Sequence, residues 1–146
     1  MHFRYPLQKL VDLKSNEKIQ AEWGLSEAIG LLHSERNELA ALEAHKDEVQ
    51  HQLGNASANR TTASQLMLLQ DYVEYQNKEI SRKMKAVVTA ERLVEQRQQE
   101  LSEKMKEEKV WEKAKEKAYA QFISMMQKKE QAELDEIALT RRVQTV

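Results

Sequence analysis

The sequence predicts an all-α fold, an antiparallel two-helix coiled coil whose longer C-terminal helix overhangs its partner. Three observations predict it. From Thr62 to Arg141 the chain holds neither proline nor glycine, and a helix of about eighty residues is a rod roughly 115 Å long, which no compact core can enclose. Its apolar residues recur at steps of three and four through Leu69, Val73, Ile80, Val87, Ala90, Val94, Leu101, Trp111, Ala118, Phe122, Met125 and Ala132, a period of about 3.5 that marks a supercoiled seam. Ala, Glu, Lys, Leu and Arg supply about half of the 146 residues and aromatics only 5%, which leaves enough apolar side chains for a seam and too few for a globular core.

The elements follow in order as one coiled-coil domain over residues 1–146. Met1 to Tyr5 is a short extended lead. Pro6 suits the first helical position, where its missing N–H breaks no hydrogen bond, so helix one is expected over about 7–53. Leu7, Leu10 and Val11 open its apolar face. From Ala21 the heptads run through Leu25, Ala28, Leu32, Leu39, Leu42, Val49 and Leu53, with Glu35 and Lys46 as polar interruptions that fix register at some cost in stability.

Gly54 stands where a left-handed C-terminal cap would end helix one, and Asn55 to Thr61 is small and polar, so the turn is expected over about 54–62. Thr62 followed by Gln65 reads as a capping box that starts helix two, expected over about 63–141. So short a loop makes the helices antiparallel neighbours. Helix one, about 70 Å long, would then cover helix two only to about Lys109. Beyond it, Tyr119, Ile123, Met126, Leu134 and Ile137 form a second apolar stripe beside Trp111, Ala118, Phe122 and Met125. A helix end that is apolar on two sides implies burial against something else.

Charge and composition exclude several function classes. The formal charge is -1 with both signs interleaved, so the basic face of a nucleic-acid reader is missing. A mild stripe at Lys104, Lys106, Lys109, Lys113 and Lys117 is offset by intervening glutamates. Without cysteine, thiolate and zinc-thiolate chemistry is impossible. No stretch approaches the roughly twenty apolar residues of a membrane span, and Met1 to Leu13 has no signal-peptide run. The sequons Asn55-Ala56-Ser57 and Asn59-Arg60-Thr61 read as chance matches without a secretory signal.

A catalytic carboxylate pair needs a cleft to split its pKa values, which an open two-helix rod does not offer. The plain reading of the charges is solvation, with Glu79–Lys83 and Glu100–Lys104 as i,i+4 pairs. Glu48-Val49-Gln50-His51 is a single Glu-x-x-His step, whereas di-iron bundles need two such steps and two more inward glutamates. His33, His45 and His51 lack a histidine partner at i,i+4. No catalytic residue, metal site or cofactor is expected. Trp23 falls at the outermost heptad position, and Met67, Leu68 and Tyr75 point away from the seam of Leu66, Leu69 and Val73.

Three stretches resemble the FliJ family, the small coiled-coil component of the bacterial flagellar type III export apparatus. They are the opening Phe3-Arg4-Tyr5-Pro6-Leu7-Gln8-Lys9-Leu10-Val11-Asp12-Leu13, the motif Lys109-Val110-Trp111-Glu112-Lys113-Ala114-Lys115-Glu116-Lys117, and the acidic close Leu134-Asp135-Glu136-Ile137-Ala138. Ala114 stands where a leucine is expected. The resemblance implies a non-enzymatic export component on the cytoplasmic side of the cell membrane, attached there through its partners. Those implied partners are the hexameric export ATPase, the cytoplasmic part of the export gate's membrane protein, and substrate chaperones. It further implies a likeness to the central stalk of rotary ATPases.

Set beside the apolar pattern, these implied partners give two expected surfaces. Trp111, Tyr119, Phe122, Ile123 and Met126 are expected to meet the ATPase ring. Leu66, Met67, Leu68, Tyr72 and Tyr75, near the turn, are expected to meet the gate. The rival expectation is a homodimeric scaffolding coiled coil that buries the overhang against its own copy.

Overall fold

The computed structural model describes residues 2–58 and 62–144. It is all-helical: α1 (Gln8–Ala58) and α2 (Ala63–Gln144) pack against each other as a coiled-coil hairpin, with no strand among the described residues. The chain divides into two compact units, residues 1–20 with 102–146, and residues 21–101.

In the unit of residues 21–101 the seam follows the expected heptads. On α1, Ala21, Leu25, Ala28, Leu32, Glu35, Leu39, Leu42, Lys46, Val49, Leu53 and Ala56 are buried or half-buried; on α2, so are Leu66, Leu69, Val73, Gln76, Ile80, Lys83, Val87, Ala90, Val94, Arg97 and Leu101. Leu32, Val87 and Ala90 form the buried centre, with Leu39 and Val94 packed against it. A fully buried side chain of this kind contributes about 1.5–3 kcal/mol, and a two-stranded seam buries few of them so completely. Ion pairs cross between the helices at and beside the seam. Lys83 donates to Glu35 at 2.9 Å and also pairs with Glu38, while Arg36 donates to Glu91 at 3.2 Å.

Both boundaries of α1 differ from expectation, and α2 runs to Gln144, three residues past the expected end. The lead ends in a turn in which the Gln8 N–H donates to the Tyr5 carbonyl at 3.1 Å, so Pro6 occupies the turn and α1 starts one residue later than expected. At the other end α1 does not stop at Leu53. Gly54 keeps a right-handed backbone, and the helix runs on to Ala58. The reason lies in the seam: Ala56 sits three residues after Leu53 and is half-buried like it, so continuing the helix gains contact that a cap at Gly54 would forgo. Asn55-Ala56-Ser57 is therefore helical. Asn59-Arg60-Thr61, the rest of the expected turn, lies outside the described residues. The start of α2 is as expected, with the Gln65 N–H donating to Thr62 Oγ1 at 3.3 Å.

The unit of residues 1–20 with 102–146 has a different seam. After Val11, α1 contributes Lys14 and Lys18, and α2 contributes Lys104 and Glu108 before Trp111, Lys115, Ala118, Phe122 and Met126. The charges interlock. Lys14 donates to Glu107 at 3.2 Å, Lys18 to Glu108 at 3.0 Å and Lys104 to Glu17 at 3.3 Å. The expected i,i+4 pairs are not made: Glu79 pairs with Arg82 and Glu100 with Arg97, one turn away, while Lys83 and Lys104 reach across to α1. A seam lysine lies nearer the carboxylates of the facing helix than those of its own.

Candidate functional site

In the unit of residues 1–20 with 102–146, the part of α2 around Tyr119 and Phe122 is covered by the lead. The Phe3 ring meets Tyr119 edge-on at 5.2 Å between centroids and lies tilted against Phe122, also at 5.2 Å. Coverage therefore reaches past Lys109, contrary to expectation, because the turn at Tyr5 to Gln8 lays the lead along α2 instead of letting it extend away. From Gln127 to Gln144 every residue is exposed.

The five residues expected to meet a ring divide into two groups. Trp111, Phe122 and Met126 are half-buried along the seam side of α2, and Tyr119 and Ile123 are exposed beside them. The inward methionine is Met126, while Met125, expected in the seam, is 71% exposed. Ala118, Phe122 and Met126 are spaced by four and four, closer to the 3.6 of a free helix than to the 3.5 imposed by a supercoiled partner. Past the reach of α1 the helix returns to its own period.

Near the start of α2, in the other unit, Leu66 is half-buried in the seam. Met67 and Leu68 are 63% and 69% exposed, and Tyr72 and Tyr75 are exposed with their rings stacked at 6.4 Å. The Tyr72 hydroxyl shares a hydrogen bond of 3.0 Å with His45 Nε2 of α1, which fixes that ring while Tyr75 stays free for contact. The five residues form an outward apolar group with one member, Leu66, turned inward.

Charge in the seam is tuned by its partners. Glu107 is held below the usual carboxylate range by the hydrogen bond from Lys14 and by attraction to Lys104. Lys14 is raised by its hydrogen bond to Glu107, and Lys83 by those to Glu38 and Glu35. These are structural ion pairs on an open surface. Among the described residues no group of three or more His, Asp or Glu side chains is placed to hold a metal ion, and no helix is long and apolar enough to cross a membrane.

The profile of the family described as Flagellar FliJ protein matches residues 3–144. The chain belongs to that family. FliJ membership makes it a coiled-coil protein associated with flagellar type III export. A search of curated proteins gives no match. Among solved structures the chain is similar to a YscO homologue, CT670, from Chlamydia trachomatis, with a TM-score of 0.71 and 22% identity over 94% of this chain and 93% of that one. At that identity the likeness carries the fold alone. Two features of this FliJ chain escape a sequence reading. The lead carries no periodicity to place Phe3 on Tyr119 and Phe122, and Lys115 reads as one of many surface lysines although it stands in the seam. The faint signal for Lys115 is its spacing, four residues after Trp111 and three before Ala118.

Proposed function

We propose that this chain is a non-enzymatic coupling element of flagellar export, joining the hexameric export ATPase ring to the export gate and handling substrate chaperones. It works on the cytoplasmic side of the membrane, attached peripherally through those partners. The observation that carries the reading is the two-sided apolar end of α2, where exposed Tyr119 and Ile123 flank half-buried Trp111, Phe122 and Met126. A ring encloses a helix on several sides, whereas a flat partner covers one stripe. At about 25 cal/mol per Å2, burying a few such side chains supplies several kcal/mol, enough for micromolar binding after association costs.

The cluster of Leu66, Met67, Leu68, Tyr72 and Tyr75 is assigned to the cytoplasmic part of the gate protein. Its exposed apolar area near the start of α2 supports that assignment. The test pairs the two surfaces. Tyr119→Asp with Ile123→Asp should leave helicity intact and weaken binding to the purified ATPase hexamer at least about tenfold, while Met67→Glu with Tyr75→Glu should do the same for the isolated gate domain. Wild-type binding by either variant moves that contact elsewhere. A homodimeric scaffold is favoured instead by the exposed Leu134, Ile137, Leu139 and Val143. A concentration-dependent dimer in sedimentation would select it.

A further inference from the structure

In the unit of residues 1–20 with 102–146, three lysines at seam positions each have a carboxylate partner: Lys14 with Glu107, Lys18 with Glu108, and Lys104 with Glu17. Lys115 stands in the same seam and is half-buried like them, yet among the described residues no carboxylate pairs with it. A lysine stem can lie along a seam while its ammonium stays at the surface, and here that ammonium has no ion-pair partner among the described residues.

The surroundings of Lys115 point to what could pair with it. Lys115 lines a shallow, open cleft of about 440 Å3 with Phe3, Arg4, Tyr5 and Gln8, a shape suited to an extended segment lying on the surface. Phe3 and Tyr5 stand as stacked rings 6.3 Å apart. Gln8 spends its side-chain amide on Asp12 at 2.9 Å. Arg4 is exposed and, like Lys115, has no carboxylate partner among the described residues. The cleft thus has two cations, two aromatic walls and no anion.

We infer that this cleft docks an acidic peptide segment of a protein partner, with a carboxylate held between Arg4 and Lys115 and an apolar neighbour on the Phe3 and Tyr5 rings. The inference deepens the proposed role of this end as a docking surface by naming the chemistry of what it takes. An arginine and a lysine that line one cleft favour a carboxylate there through charge-assisted hydrogen bonds. The aromatic walls favour an apolar flanking side chain over a bare anion. The formal charge of -1 for the whole chain gives a nucleic-acid backbone no wider basic face to follow.

The test needs no ATPase, so its outcome is separate from that of the ring assay. The full chain is titrated into a short fluorescein-labelled peptide of leucines and glutamates, and into a matched peptide with glutamine for every glutamate. The acidic peptide should bind at least about tenfold more tightly. Lys115→Met, which keeps the apolar stem, and Arg4→Gln should each weaken it by about tenfold, with helicity unchanged by circular dichroism. Lys106→Met, which lies outside the cleft, should not. Equal binding of the two peptides, no binding of the acidic one, or wild-type affinity in both cleft variants would overturn the inference.

Discussion

At the scale of single residues, Lys14 and Glu107 show how the charged seam ties stability to pH. Glu107 is depressed in the folded chain by the hydrogen bond from Lys14, so its contribution is present above its unfolded pKa and lost as pH falls through the folded value. Lys14 is raised, so its contribution is present below its unfolded pKa and lost as pH rises through the folded one. The plateau lies between, across neutral pH. Glu107→Gln should therefore be less stable than wild type in urea at pH 7, and the gap should close as pH drops through the acid range. A gap that stays constant with pH would mean that packing, not charge, sets the difference. Pairings of this kind were the least legible part of the sequence. Glu79 and Lys83 are four apart and invite an intrahelical pair, but the choice between partners depends on which α1 residues lie opposite, and that register is a property of both helices together.

At the scale of elements, the heptads made the two helices legible because apolar periodicity is set locally, whereas their ends were decided by contacts. Gly54 is the instance. It lies inside α1, and a Cβ there would meet nothing within 4 Å. Gly54→Ala should accordingly raise stability by about 0.4–1 kcal/mol in denaturant melts. Had the glycine been a left-handed cap, alanine would lower it. The end of α2 obeys the same logic in reverse. Residues Gln127 to Gln144 are all exposed, and a helix of that length without packing is marginal in water. Deleting residues 128–146 should lower mean helicity but leave the melting midpoint of the remainder unchanged. A fall in midpoint would reveal packing of this segment that its exposure does not indicate. The change from Met125 to Met126 as the inward residue could not be read from sequence, since both fit an apolar pattern and only the loss of a facing helix decides between periods.

At the scale of the whole molecule, the two units differ in what fills their seams, and so in how they resist opening. Residues 21–101 have Leu32, Val87 and Ala90 at their centre, while in residues 1–20 with 102–146 the stretch of α1 after Val11 meets α2 through interlocked charge, and the aromatic contacts come from the lead. Solvated ion pairs contribute little each, and local opening favours regions with few buried apolar contacts. In native-state hydrogen exchange, amides of α1 from Asp12 to Gln20 should exchange faster than those from Leu25 to Val49, with the ratio widening as salt is added. Equal protection would mean that α1 opens as one piece. Buried acceptors mark what the polar positions cost: among the described residues, nothing donates a hydrogen bond to Gln76 Oε1 or Glu108 Oε2.

The paired charges also govern how the two helices respond to a pull along their length. A seam of leucine alone can creep under load, because each slip of one heptad restores equivalent contacts. Here a slip of seven residues in one direction would carry Lys18 from Glu108 onto Lys115 and Glu35 from Lys83 onto Ala90, and the opposite slip would set Glu35 against Gln76. In the first direction Lys14 would meet Ala114 and Glu17 would meet Trp111, so each displaced charge finds its own sign or no charge, whereas the opposite slip would pair Lys14 with Glu100 and Glu17 with Arg97. The charged pairs therefore work as a one-way latch: a slide that carries Lys18 toward Lys115 breaks them without replacement, and the reverse slide trades two of them for others.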